Sequence, residues 1–236
     1  MLSGDGSARG ISDRFFGWGP RRSGPDSASG LLAADQDGEF LCASKAFRKF
    51  LACLAGREAP VLVDLGQAVG SNITFFGERH GCKIFIEDLY ADLERHASTG
   101  TLSALAGFVE SRLEQPDASV DGILAWDVID YLDRPAAVAL ARQLTRILRP
   151  GGALLGYFRT TEEGGPHYTR HVVVDEGTIR HRPYPGSLDR RPVLLNRDII
   201  KMFEGLLVSD SFLLKTATRE ILFRKPAHLG SGRTPI

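Results

Sequence analysis

An α/β domain on a mostly parallel sheet is what this sequence predicts, and three observations predict it. Short apolar runs recur at Val61–Val63, Cys82–Ile86, Val120–Asp127 and Ala153–Phe158. Bounded by turn residues and too short for helices, such runs suit strands buried on both faces. Stretches of helical periodicity alternate with them, as in Ser71–His80, Leu89–His96 and Pro135–Leu148. Three of the runs close on acids, Asp64, Glu87-Asp88 and Asp127. In an open parallel sheet the carboxyl ends of the strands are where ligands bind, so these acids share a candidate rim.

Composition narrows the function classes. A chain of 236 residues suffices for one α/β domain with some decoration. Its 29 basic and 29 acidic residues cancel, so no global field recruits nucleic acid or an anionic membrane. No apolar run is long enough to span a bilayer and the N-terminus has no apolar signal core, so a cytoplasmic protein is expected. Cys42, Cys53 and Cys82 form no C-x-x-C pair and are expected as reduced thiols. No His pair has a carboxylate at ligand spacing, so no metal is expected.

In chain order, Met1–Gly38 is rich in Gly, Ser, Asp and Arg and is expected as a disordered or loosely packed arm. Glu39–Ala55 predicts one amphipathic helix, with Phe40, Ala43, Phe47, Phe50, Leu51 and Leu54 on one face. Gly66 lets the chain turn or approach a ligand closely after the first apolar run. Gly70 precedes a short helix whose free N–H groups face a polar ligand. Thr101–Gln115 should hold a strand, yet Leu102, Leu105, Phe108, Val109 and Leu113 have helical spacing. Arg149-Pro150-Gly151-Gly152 stops a helix before the Ala153–Phe158 strand. Val172–Val174 and Thr178–Arg180 predict a hairpin rich in His, Tyr and Arg, among them His167, Tyr168, Arg170 and His171. Asn196–Leu206 predicts a helix with Asn196 as N-cap. Ser211–Lys215 and Glu220–Lys225 predict a terminal hairpin, and residues 226–236 a flexible tail.

The stretch VLVDLGQAVGSN, Val61–Asn72, separates two kinds of nucleotide site. A dinucleotide fingerprint wants G-x-G-x-x-G, whereas here Asp64 comes two residues before Gly66, with Gln67 and Ala68 before Gly70. A carboxylate there opposes a pyrophosphate and suits a positively charged ligand. This resembles motif I of the class I S-adenosylmethionine-dependent methyltransferases. The VDGILAWDVIDYL block resembles their motif IV, and the L-R-P-G-G stop recurs before a strand in that family. The resemblance covers 39–225. It implies a Rossmann-like sheet with an antiparallel C-terminal hairpin and a small β-hairpin insertion, 159–193, after the fifth strand, part of a substrate lid.

The resemblance further implies S-adenosylmethionine as cofactor. Its methionine end would lie along Asp64, Gly66, Gln67, Ala68, Gly70 and Asn72, its ribose on Glu87, and its methyl group near Asp127. Glu87 and Asp88 are both cofactor-binding candidates about twenty residues after Gly66; Glu87 is favoured for the ribose because it directly follows the strand, and a helix cap explains Asp88 equally. No general base stands out; Asp127, Tyr131 and His167, with His171, are the candidates. A small-molecule acceptor is expected, with no nucleic acid and no membrane. A lid of His, Tyr and Arg suits an acidic or aromatic acceptor, and a solvated hairpin explains the same residues. A non-catalytic methyltransferase-like module acting through a protein partner stands as the alternative, and a nicotinamide oxidoreductase ranks below both.

Overall fold

The structure, a computed structural model, describes residues 31–34, 38–162 and 167–227. Strands β1 (Leu31–Ala34) and β2 (Phe40–Ala43) precede helix α1 (Lys45–Leu54). Then β3 (Val61–Asp64) leads through the glycine loop into α2 (Gly70–Thr74), which runs on as a π-helical turn, Phe75–Arg79. Next come β4 (Lys83–Ile86), α3 (Leu89–Ser98), α4 (Leu105–Arg112), β5 (Val120–Trp126), α5 (Arg134–Ile147) and β6 (Leu148–Arg159). The chain closes with β7 (His167–Asp175), β8 (Thr178–Pro185), α6 (Asn196–Met202), β9 (Leu207–Leu213) and β10 (Thr218–Arg224).

Six strands form the main sheet in the order β4-β3-β5-β6-β10-β9. β3 runs parallel to β4 and β5, and β5 parallel to β6; β10 is antiparallel to β6 and β9. This is the expected α/β class with its antiparallel C-terminal pair. Alternate residues divide the core: Val63, Ile123 and Leu154 pack under α3 to α6, while Leu62, Leu124 and Leu155 pack under α1 and the Phe75-Phe76 turn.

Four local expectations change. Phe40–Ala43 is a strand and the helix starts later, at Lys45, because the Ser44 hydroxyl accepts from the Phe47 N–H at 2.9 Å and caps it there. Phe40 and Ala43 had matched a helical face by coincidence of spacing. The 101–115 segment contains α4 and contributes no strand, so β4 is an edge of the main sheet. Leu195, not Asn196, is the N-cap of α6, without a side-chain cap bond. β6 already begins at Leu148, so the Arg149-Pro150-Gly151-Gly152 stretch runs within the strand.

The hairpin after β6 is longer than predicted and is not alone. β2 pairs with β8 and β1 with β2, making a second, antiparallel sheet in the order β1-β2-β8-β7. It packs over the carboxyl ends of the main sheet. The expectations for 1–30 and for 228–236 fall outside the described residues.

Candidate active site at the carboxyl rim

The rim is built around Asp64, which is only 3% exposed. Its Oδ1 accepts from the Gly66 N–H at 2.8 Å and from the Trp126 indole N–H at 2.6 Å. Burial pushes this carboxyl up to about 6, the two hydrogen bonds holding it down and the nearby Asp88 raising it further. Trp126 ends β5 at φ 48°, a left-handed backbone that a bulky residue rarely adopts. That turn lays the indole over the loop. A Cβ at Gly66 would lie 2.8 Å from the indole Cδ1, so glycine is required there by a side chain of the chain itself.

The far face of Trp126 carries His171 of β7, stacked at 4.7 Å and 3°. His171 is buried, and burial, followed by the nearby Arg190 charge, holds its imidazole down to about 3, so it stays neutral. Asn72 of α2 clamps the same strand: its amide donates to the His171 carbonyl at 2.9 Å and its oxygen accepts from the Val173 N–H at 2.8 Å. Arg170 donates to the Gln67 side chain at 2.6 Å. Ala68 and Gly70 remain exposed at the mouth of the loop. The hairpin is thus pinned to the glycine loop at three points.

Glu87 turns the other way. Its carboxylate accepts from Arg112 at 2.5 Å and from Gln115 at 2.5 Å. It lines a cavity of about 540 Å³ along the β4 edge, with Val61, Phe85 and Pro116. The cause is the missing edge strand: α4 and the segment after it occupy that flank and bring Arg112, which also binds Asp92 at 2.7 Å. Asp88 caps α3, accepting from the Ala91 N–H at 3.2 Å. Its carboxyl is raised by burial and sits in the fields of Asp92, Arg170 and Arg112. It is therefore the acid on the loop side of the rim.

Asp127, just past β5, accepts from the Tyr90 hydroxyl at 2.5 Å and from Arg190 at 2.9 Å. Arg190 also donates to the Tyr131 hydroxyl at 2.9 Å. Burial, then the Asp127 charge, raises the Tyr131 phenol, so it stays protonated. Asp130 accepts from the Arg159 N–H at 3.0 Å and is pushed up to about 7 by burial and by Asp127. The candidate His167 begins β7, paired in register with Pro185. Tyr90 and Arg190 were missed by sequence reasoning. Tyr90 lies on a helix with ordinary periodicity, and Arg190 follows a Pro/Gly-rich stretch with no local signal. Among the described residues, no three His, Cys, Asp or Glu side chains cluster as metal ligands. Among them, too, no helix is long and apolar enough to cross a membrane.

Residues 63–156 match the family described as Methyltransferase domain. The match runs from β3 to within β6, through the glycine loop, Asp64, Glu87, Asp88 and Asp127. No curated protein matches the chain. Among solved structures, PH0226 protein from Pyrococcus horikoshii OT3 is 16% identical, with 77% of this chain and 89% of that one covered at a TM-score of 0.48. The 1,6-didemethyltoxoflavin-N1-methyltransferase of Burkholderia thailandensis, bound to 1,6-didemethyltoxoflavin and S-adenosylhomocysteine, is 19% identical, covering 78% and 79% at a TM-score of 0.46. The glycopeptide N-methyltransferase MtfA, complexed with S-adenosylmethionine, is 17% identical, covering 83% and 98% at 0.42.

As it stands, the rim does not fit S-adenosylmethionine in the way the resemblance implies. The space over Gly66 belongs to Trp126. Asp64, Glu87 and Asp127 already accept hydrogen bonds from the chain's own donors. Asn72 is committed to the hairpin. A nucleoside over this loop requires the indole, and with it the strand stacked on it, to move.

Proposed function

We propose that this protein is an S-adenosylmethionine-dependent methyltransferase acting on a small molecule, and that the arrangement described is its closed state. The observation that carries the reading is the Trp126–His171 stack, set on a strained backbone directly over the glycine loop. Strain of this kind costs roughly 1–3 kcal/mol and concentrates at functional switches. The family match supplies the reaction class, and the methyl donor is already activated, so the protein's contribution is alignment in a dry site.

In this reading Gly66–Gly70 with Gln67, Ala68 and Asn72 is the loop for the methionine end, with Asp64 beneath it. Asp88 is a better ribose acceptor than Glu87, because Glu87 is held at the sheet edge by Arg112 and Gln115. Asp127, fixed between Tyr90 and Arg190, orients the acceptor side and moves no proton. The roof supports a small acceptor: a cavity of about 270 Å³ lies over the ends of β5, β6 and β10 beneath the second sheet.

Calorimetric titration with S-adenosylhomocysteine tests the assignment. The native chain should bind saturably, Asp88→Asn should weaken binding about tenfold, and Glu87→Gln should leave it within about twofold, since charge-assisted hydrogen bonds are worth roughly 1.5–3 kcal/mol. Equal losses in both variants would return the ribose to Glu87. No binding up to millimolar concentration would favour the non-catalytic module.

A further inference from the structure

Among the buried polar atoms on the acceptor half of the rim that the fold leaves unanswered are one on an arginine and one on a histidine. Arg159 is 7% exposed and His181 is 5% exposed, and both line the 270 Å³ cavity. Among the described residues, neither the Arg159 Nε nor the His181 Nε2 has a hydrogen-bond partner. A buried donor or acceptor left unmade costs about 1–3 kcal/mol, more when charged, so such groups call for a ligand or a function. The rest of the Arg159 guanidinium reaches the Arg191 carbonyl and, at 3.4 Å, the Thr161 carbonyl. Its ion partner is Glu162, at 3.4 Å, whose side chain is 68% exposed.

The cavity places two guanidinium groups among its aromatic walls. Arg159 and Arg190 face Asp127 and Asp130. Asp127 is paired with Arg190, while Asp130 accepts from the Arg159 backbone N–H and has its carboxyl pushed up by burial and by Asp127. His171 and His181 are kept neutral by burial. Among the described residues the Arg159 guanidinium makes its ion pair with the exposed Glu162 and has Asp130 as the buried acid whose field it shares. The walls are flat rings: Phe40 stacks on His181 at 4.8 Å, Tyr157 stacks on it at 5.8 Å, and Tyr168 stands at the same opening.

We propose that this cavity binds a small planar carboxylic acid, its carboxylate on Arg159, its ring against the aromatic lining, and a hydroxyl or ring N–H donating to His181 Nε2. This rests on the proposed function in one respect only: the acid is then the methyl acceptor. The carboxylate answers the Arg159 Nε with a charge-assisted bond, and the neutral imidazole accepts from the far end of the ring. Arg159 is not interchangeable with lysine here, because the bond uses the planar fork.

The test is calorimetry on the full chain with 4-hydroxybenzoate, nicotinate and indole-3-carboxylate, each against its own amide, with S-adenosylhomocysteine titrated separately. At least one acid should bind saturably and its amide at least tenfold more weakly. Arg159→Gln should abolish that preference, and His181→Phe should weaken an acid carrying a ring donor several-fold, both without changing S-adenosylhomocysteine affinity. Should Arg159→Gln fail to fold, the acid-to-amide ratio on the native chain decides alone. Equal binding of acids and amides, or no binding of any acid at millimolar concentration, overturns the proposal. Acid preference without S-adenosylhomocysteine binding would sink the methyltransferase reading and leave this site standing. S-adenosylhomocysteine binding without acid preference would do the reverse.

Discussion

The two halves of the carboxyl rim are built from similar residues and left in opposite conditions. On the glycine-loop half, Asp64 takes the Trp126 indole, Glu87 takes Arg112 and Gln115, and Asn72 takes the hairpin backbone. On the β6 side, a cavity remains, and Arg159 and His181 keep unanswered nitrogens inside it. The difference teaches where the fold is finished and where it waits. The acids of the first half are answered by the chain's own donors, although the Gln67 Nε2 and the Gln115 Oε1 are left over there; on the second half the unanswered Arg159 and His181 nitrogens belong to residues that line a cavity. The Trp126–His171 stack is the wall between them.

The sharpest way to break the contrast is to remove that wall. Trp126→Ala should cost about 3–5 kcal/mol in urea denaturation, as loss of a fully buried large aromatic does. The same variant should bind S-adenosylhomocysteine about tenfold more tightly, because it no longer competes with its own indole. A loss of both stability and affinity would mean that Trp126 is part of the cofactor's wall and not its rival.

The pH dependence of stability sharpens the contrast next. Asp64 is raised from 3.8 to about 6 and Asp130 from 3.8 to about 7. An acid raised on folding binds its proton more tightly in the native state, so stability falls as pH climbs from 3.8 through those values. At about 1.4 kcal/mol per unit, Asp64 alone contributes a loss of about 3 kcal/mol, complete above pH 6. Denaturation midpoints should therefore be higher near pH 5 than at pH 8. Asp64→Asn should flatten the lower part of that slope and Asp130→Asn the upper part. A profile that rises with pH, or is unchanged in both variants, contradicts the packing described.

A smaller effect probes the same contact from the loop. Gly66→Ala should destabilise by about 1–3 kcal/mol, since the new methyl meets a stacked indole that has little room to yield. In Trp126→Ala the same substitution should cost nearly nothing, a non-additivity that a double-mutant cycle reads directly.

Much of the fold was legible because its signals are local. Apolar runs that end in Asp64, Glu87 and Asp127 placed three of the parallel strands and their rim, and the glycine loop was visible from spacing alone. What stayed hidden depends on distant partners. Phe40–Ala43 looked helical because its spacing fits both periods, and only pairing with β8 decides for a strand. Glu87 followed its strand as a ribose-binding acid should, but a missing edge strand let Arg112 draw it away. Nothing near Trp126 in sequence announced that its ring would cover Gly66. That contact needs two strand ends brought side by side and a left-handed turn at the second.

A structure of the full chain crystallised with S-adenosylhomocysteine tests the closed-rim account most directly. The nucleoside should lie over Gly66, with the Trp126 indole withdrawn from the loop and the Asn72 bonds to β7 broken. A nucleoside bound with Trp126 still stacked on His171 and bonded to Asp64 would contradict it.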